Sequence, residues 1–205
     1  MKKVVIIQAR MTSTRLPGKV MLPLGDKTVL GHVFMRSWNI KGIDEVCCAI
    51  PEGVEHDILV SESHKYNVTV FRGSEKNVLE RYYLAANFLN AQIIMRITSD
   101  CPLINPEVCS NVLETHIKTS AEYTCNNLPP TWPHGYDCEV FGYKQLKEAY
   151  QNAVELYDLE HVTPWMRRAY NVINVPNPEG NFYSQRITLD TPEDYFNIKN
   201  IFNTL

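Results

Sequence analysis

An α/β fold with a mainly parallel sheet is predicted by three features of the 205-residue chain. Short apolar or β-branched runs alternate with longer segments whose apolar residues recur at helical spacing. The first run is apolar at every residue rather than every second one, the pattern of a strand buried on both faces. The alternation holds from residue 4 to residue 118 and only then loosens.

Val4, Val5, Ile6 and Ile7 form the first strand. The loop QARMTSTRLPGK follows at residues 8–19, and Pro17-Gly18 keeps it from continuing as a regular helix. Val29, Leu30, Val33, Ser37 and Ile40 share one helical face, with Thr28 placed to cap the helix. EVCCAI at 45–50 is the second strand, 54–66 a helix and 68–71 the third strand. Val78, Leu79, Tyr82, Ala86 and Leu89 mark the next helix, QIIMRIT at 92–98 the fourth strand, and a helix over 106–118 starts at a proline. Residues 126–135, NNLPPTWPHG, hold three prolines and read as an ordered loop. A strand at 138–141 follows, then helices near 143–152 and 158–170, and late strands at 172–175 and 185–189. Thr191 caps a final amphipathic helix with Pro192 at its first position. No repeat or low-complexity tract interrupts this order. It reads as one domain over residues 1–205, with 126–142 as a substrate or dimer loop and strand.

Composition excludes several classes. Hydrophobic residues make up 44% and charged residues 21%, ordinary values for a globular chain. The net charge of -3 and a pI near 6.1 argue against a general nucleic-acid binder. No apolar stretch is long enough to span a membrane, and the run at 4–7 is too short for a signal peptide. The expectation is therefore a cytoplasmic protein. Its six cysteines show no CxxC pair and no zinc-site spacing, so they are expected to be free, mostly buried thiols.

Against this acidic background, the loop at 8–19 carries Arg10, Arg15 and Lys19 with no acid of its own. It leaves the first strand at the carboxyl end, where ligands of open α/β sheets bind. Its cations, its hydroxyls (Thr12, Ser13, Thr14) and its free N–H groups suit a polyphosphate. The same composition also fits a solvated loop paired to distant acids. GxxxxGK and GxGxxG are both absent, so neither a P-loop ATPase nor a dinucleotide-binding dehydrogenase is supported. Asp100 follows the fourth strand in MRITSDCPLI, and Asp190 follows a late strand in RITLDTPED. Each alone also reads as a turn or pre-cap residue. Together with a cationic loop, two strand-end carboxylates suit Mg²⁺ plus phosphate oxygens, hence phosphoryl or nucleotidyl transfer.

The segment VVIIQARMTSTRLPGKVMLPLGDKTVLGHV resembles the N-terminal motif of cytidylyltransferases that make CMP-activated sugars. CMP-KDO synthetases share its ARxxSTRLPGK core. The match is closer to the spore-coat polysaccharide cytidylyltransferase-like branch, through QARMTSTRLPGK, VFRGSEKNVLERY, RITSDCPLI, EHVTPWMR and LDTPED, in that order. The resemblance implies a Rossmann-like, three-layer nucleotidyltransferase fold, a homodimer, and CTP as substrate. It implies that Arg10, Arg15 and Lys19 hold the triphosphate with Ser13 nearby, and that Asp100 and Asp190 bind Mg²⁺. It also turns Arg72, Gly73 and Ser74 towards the nucleotide and sets His161 near an acidic sugar acceptor. Tyr136 and Arg167 are further acceptor candidates; His134, Asp137 and Glu160 lie beside them in sequence. His161 also fits a hydrogen-bonded structural histidine, Arg167 a surface ion pair, and Arg96 a buried ion pair. Gln8 replaces the proline usual in CMP-KDO synthetases, and RITSDCP replaces their QGDEP-like block. The alternatives are a sugar-phosphate nucleotidyltransferase or glycosyltransferase of related fold, and a non-catalytic nucleotide-binding homologue.

Overall fold

The structure, a computed structural model, describes residues 1–204. In chain order its elements are β1 (Lys3–Gln8), β2 (Pro23–Leu24), β3 (Lys27–Thr28), α1 (Val29–Trp38), β4 (Glu45–Pro51), α2 (Asp57–Lys65), β5 (Thr69–Gly73), α3 (Val78–Phe88) and β6 (Ile93–Thr98). They continue with α4 (Pro106–Thr119), β7 (Tyr123–Cys125), β8 (Glu139–Gly142), α5 (Tyr143–Asn152), α6 (Leu156–His161), α7 (Pro164–Ala169), β9 (Val172–Asn174) and α8 (Pro192–Phe202). Seven strands form one sheet in the order β5-β4-β1-β6-β8-β7-β9, and β2 and β3 make a small separate hairpin. Only β8 runs against its neighbours; every other strand of the large sheet points the same way.

The layers follow from β1. Val4, Val5, Ile6 and Ile7 are fully buried, each contributing about 1.5–3 kcal/mol of apolar burial. Their side chains alternate across the sheet. Val5 and Ile7 join a core with Leu30, Phe34, Leu59 and Val112 from α1, α2 and α4. Val4 and Ile6 join the opposite core with Leu79, Tyr82, Leu146 and Ala149 from α3 and α5. A third cluster of Leu24, Val29, Leu189 and Ile198 fastens α8 beside the hairpin.

Helix starts follow their local chemistry. The Thr28 hydroxyl accepts from Gly31 N at 2.9 Å, and Asn105, just before Pro106, accepts from the amides of Glu107 and Val108. Thr191 and Asp194 form a reciprocal capping box ahead of Pro192.

The structure departs from the sequence reading in four places. Residues 185–189 are not a strand of the sheet; Arg186 forms only an isolated bridge with His134. Both sides of β6 are taken by β1 and β8, so the segment has no lane beside that strand. It crosses the strand ends instead, where Leu189 N donates to Asp100 O at 2.8 Å and Ile187 N to His134 O at 2.9 Å. Gly135 makes this crossing possible: its φ is +126°, and a Cβ there would lie 2.9 Å from the Ile187 carbonyl carbon. Second, the helix expected over 158–170 is two, α6 and α7. Pro164 has no N–H to continue the ladder, and Val162 takes φ +72°. Third, β7 has only three residues, too few to show a period. Fourth, residues 54–56 form a 3-10 turn ahead of α2 rather than its first turn. All six cysteines are free and buried, as expected. Among the described residues no helix is long and apolar enough to cross a membrane.

Candidate active site

The winding of the sheet reverses between β1 and β6, so their carboxyl ends flank an open crevice. The loop after β1 enters it. Gly18 adopts φ +69°, its N–H donates to Met11 O at 2.9 Å, and this closes the loop. A 3-10 turn over Lys19–Met21 then buries Val20 and turns Lys19 into the crevice. Thr12 Oγ1 donates to Glu75, tying the loop to the segment after β5.

Lys19 Nζ donates to Asp100 Oδ2 at 2.9 Å, Asp190 Oδ1 at 2.8 Å and the Leu189 carbonyl at 2.7 Å. Burial works against this ammonium, but the two carboxylates outweigh it and raise its pKa. Burial likewise opposes the Asp190 charge, and Lys19 and Arg186 hold its pKa below the ordinary value. Arg15 reaches the same Asp190 Oδ1 at 3.0 Å. Behind it, Arg186 Nη2 donates to Asp190 Oδ2 at 2.9 Å and Arg186 Nε to Asp194 Oδ1 at 2.9 Å. Asp194 also accepts from the amides of Asp190 and Thr191, both at 2.9 Å, and its pKa is pushed down to about 2. Burial opposes that shift, while Arg186 and the amides drive it.

A cavity of about 230 Å³ opens here. Of the residues singled out by sequence, it brings together Arg10, Ser13, Arg15, Lys19, Asp100, Asp190 and His161, with Glu160 beside them. His161 ends α6, its ring tilted against that of Tyr157 with centroids 4.4 Å apart, and a γ-turn through Val162 follows it.

The other candidates lie outside this cavity. Arg72 and Gly73 end β5, two strands from β1, and Ser74 follows it. Arg72 donates to Gly53 O at 2.9 Å and pairs with Asp57. Gly73 packs on the Arg81 side chain, and the Ser74 carbonyl accepts from Arg81 Nη1 at 2.5 Å. Tyr136 packs against the third hydrophobic cluster and lines a separate depression with Trp132 and Phe182. Arg167 turns inward to Glu139, as does Arg96 from the neighbouring strand. Glu139 also accepts from Tyr123 and from Thr163 Oγ1, the latter at 3.0 Å. Its burial opposes ionisation, yet the two guanidinium groups hold its pKa at about 2.

Two residues of the site escaped the sequence reading. Arg186 sits in the segment mistaken for a strand. Arg81 lines the cavity from α3, and its signal is a charge on the helix's buried face, between Val78 and Tyr82.

The family model described as Cytidylyltransferase matches residues 4–203. The chain belongs to the cytidylyltransferase family. It is 34% identical over 206 residues to the spore coat polysaccharide biosynthesis protein SpsF of Bacillus subtilis, covering 96% of this chain and 85% of that protein. A solved cytidylyltransferase structure from Leptospira borgpetersenii superimposes with a TM-score of 0.96 at 33% identity, over 100% of this chain and 88% of the other. The fold is also that of a CMP:2-keto-3-deoxy-manno-octonic acid synthetase solved with CTP, at a TM-score of 0.76 and 16% identity, covering 100% and 99% of the two chains. The chain is thus a nucleotidyltransferase enzyme, and the cavity at the switch point is where this cytidylyltransferase gathers its cations and carboxylates.

Among the described residues no three metal-ligating side chains cluster. Asp100 and Asp190 nevertheless aim one oxygen each at a single cation, the Lys19 ammonium. Two such carboxylates fit Mg²⁺ when phosphate oxygens complete the shell.

Proposed function

We propose that this cytidylyltransferase transfers CMP from CTP to an acidic sugar or a related surface-polysaccharide precursor, releasing pyrophosphate. The observation that supports this reading best is the Asp100–Lys19–Asp190 cluster at the mouth of a cation-lined cavity. Arg10, Arg15 and Ser13 hold the triphosphate. An acceptor oxygen attacks the α-phosphorus in line, its bond forms as the α–β bridge breaks, pyrophosphate leaves, and the hydroxyl proton is lost to solvent. Lys19 moves from the carboxylates to the phosphate oxygens and meets their growing charge. Asp100 and Asp190 would hold Mg²⁺, which would supply further charge neutralisation at the phosphates. His161 and Glu160 border the cavity on the acceptor side. The names of the relatives, a spore coat polysaccharide protein and a sugar-acid synthetase, support this acceptor class.

A pyrophosphate-release screen with four nucleoside triphosphates, 2-keto sugar acids and sugar 1-phosphates tests the reading. Release with CTP and a sugar acid supports it. Release with sugar 1-phosphates alone, or preference for another base, replaces it. In the active pair, Lys19→Ala is expected to cut turnover by about 10²–10³-fold, the usual effect of losing one donor to transition-state charge.

A further inference from the structure

Arg81 has a surrounding that its structural role does not explain. The residue is 2% exposed and lines the cavity together with residues of the loop after β1. Its Nη1 donates to the Ser74 carbonyl, and its Nε is buried with no partner. Among the described residues no carboxylate forms an ion pair with it, or with Arg10, the exposed neighbour whose charge opposes its own. The Glu75 carboxylate acts on Arg81 only through space, without an ion pair. A buried guanidinium bonded to nothing but a neutral carbonyl is unfavourable, and proteins ordinarily place an acid against it. The cavity therefore has two halves. Lys19 and Arg15 are neutralised by Asp100 and Asp190. Arg10 and Arg81 are not.

We infer that Arg81 and Arg10 form an anion seat, separate from the Asp100–Lys19–Asp190 cluster, that takes phosphate oxygens of the nucleotide. This rests on the nucleotidyl-transfer reading given above. The substrate supplies the counter-charge that the chain withholds. Two guanidinium groups facing one space match a multiply charged phosphate chain better than the single charge of a sugar-acid carboxylate. The Ser13 hydroxyl, which lines the same cavity, adds a donor. Arg81 is thus a substrate-binding residue, and its Ser74 bond couples the cavity to the loop after β5.

Calorimetric titration in EDTA tests the seat with four probes: inorganic triphosphate, CTP, cytidine and 2-keto-3-deoxy-manno-octonic acid. Arg81→Met is expected to weaken inorganic triphosphate and CTP by about tenfold or more, the usual scale for a charged hydrogen bond. Cytidine and the sugar acid should bind as they do to the wild type. The unfolding temperature of Arg81→Met should stay near that of the wild type, because the lost charge had no carboxylate partner and only one hydrogen bond, to the Ser74 carbonyl. Arg81→Lys, which keeps the charge without the fork, should bind triphosphate with intermediate affinity, and it decides the matter if Arg81→Met does not fold. Triphosphate affinity within about twofold of wild type in both variants overturns the seat. So does a wild type that binds no triphosphate, or a loss confined to the sugar acid. Failure of the parent reading looks different: the wild type binds triphosphate and Arg81→Met does not, yet CTP turns over with no acceptor.

Discussion

The chain buries arginine in two ways. Around Glu139, Arg96 and Arg167 share one carboxylate that is only 2% exposed, and Tyr123 and Thr163 complete its bonds. At the cavity wall, Arg81 is less exposed than either arginine but forms no ion pair. The first arrangement closes on itself. It ties β6 to β8, where Arg96 and Glu139 are register partners, and it joins both to α7. The second is left open on the side of the cavity. Buried charge that serves the fold carries its own counter-ion, whereas buried charge that awaits a ligand does not.

Removing the shared carboxylate should produce the largest effect. Glu139→Ala strands two part-buried guanidinium groups, and urea unfolding should report a loss of about 3–5 kcal/mol. Acid probes the same site more gently. The Glu139 pKa lies near 2, below its ordinary value of 4.5, so the folded state binds this proton less readily than the unfolded chain. Its contribution is therefore complete above about pH 4.5 and fades as the pH falls towards 2. Unfolding temperatures followed across that window should drop less steeply for Glu139→Gln than for the wild type; parallel slopes would remove Glu139 as a titrating support. Smallest of all should be the stability change at the open site, where Arg81→Met is expected to stay within about 1 kcal/mol of the wild type. A loss as large as that of Glu139→Ala would erase the distinction between the two arginine environments.

The parallel half of the sheet was legible because its strands are apolar at nearly every residue and its helices keep a regular apolar face. Arg10, Arg15, Lys19 and Asp100 were legible as placements, since each follows a strand that the pattern itself located; Asp190 was placed through a segment, 185–189, that lies outside the sheet. Arg81 was not, because helical spacing draws attention to the apolar residues around it and passes over the charge among them. Segment 185–189 has the composition of a strand, and composition carries no record of which lanes of a sheet are already filled. Residues 123–125 are too few to show any period. Arg167 looked free for an acceptor because its partner Glu139 lies on β8, beyond the loop at 126–135.

The crossing of residues 185–190 over the end of β6 also sets an order of events. Asp100 and Asp190 are ninety positions apart, and the Leu189–Asp100 backbone bond is what brings their carboxylates to one lysine. A growing chain can pair β1, β4, β5 and β6 long before residue 190 exists. During synthesis, therefore, most of the sheet can be present while Lys19 faces Asp100 alone. The cluster is assembled by a late clasp, and the nucleotide chemistry proposed for it has to wait for that clasp.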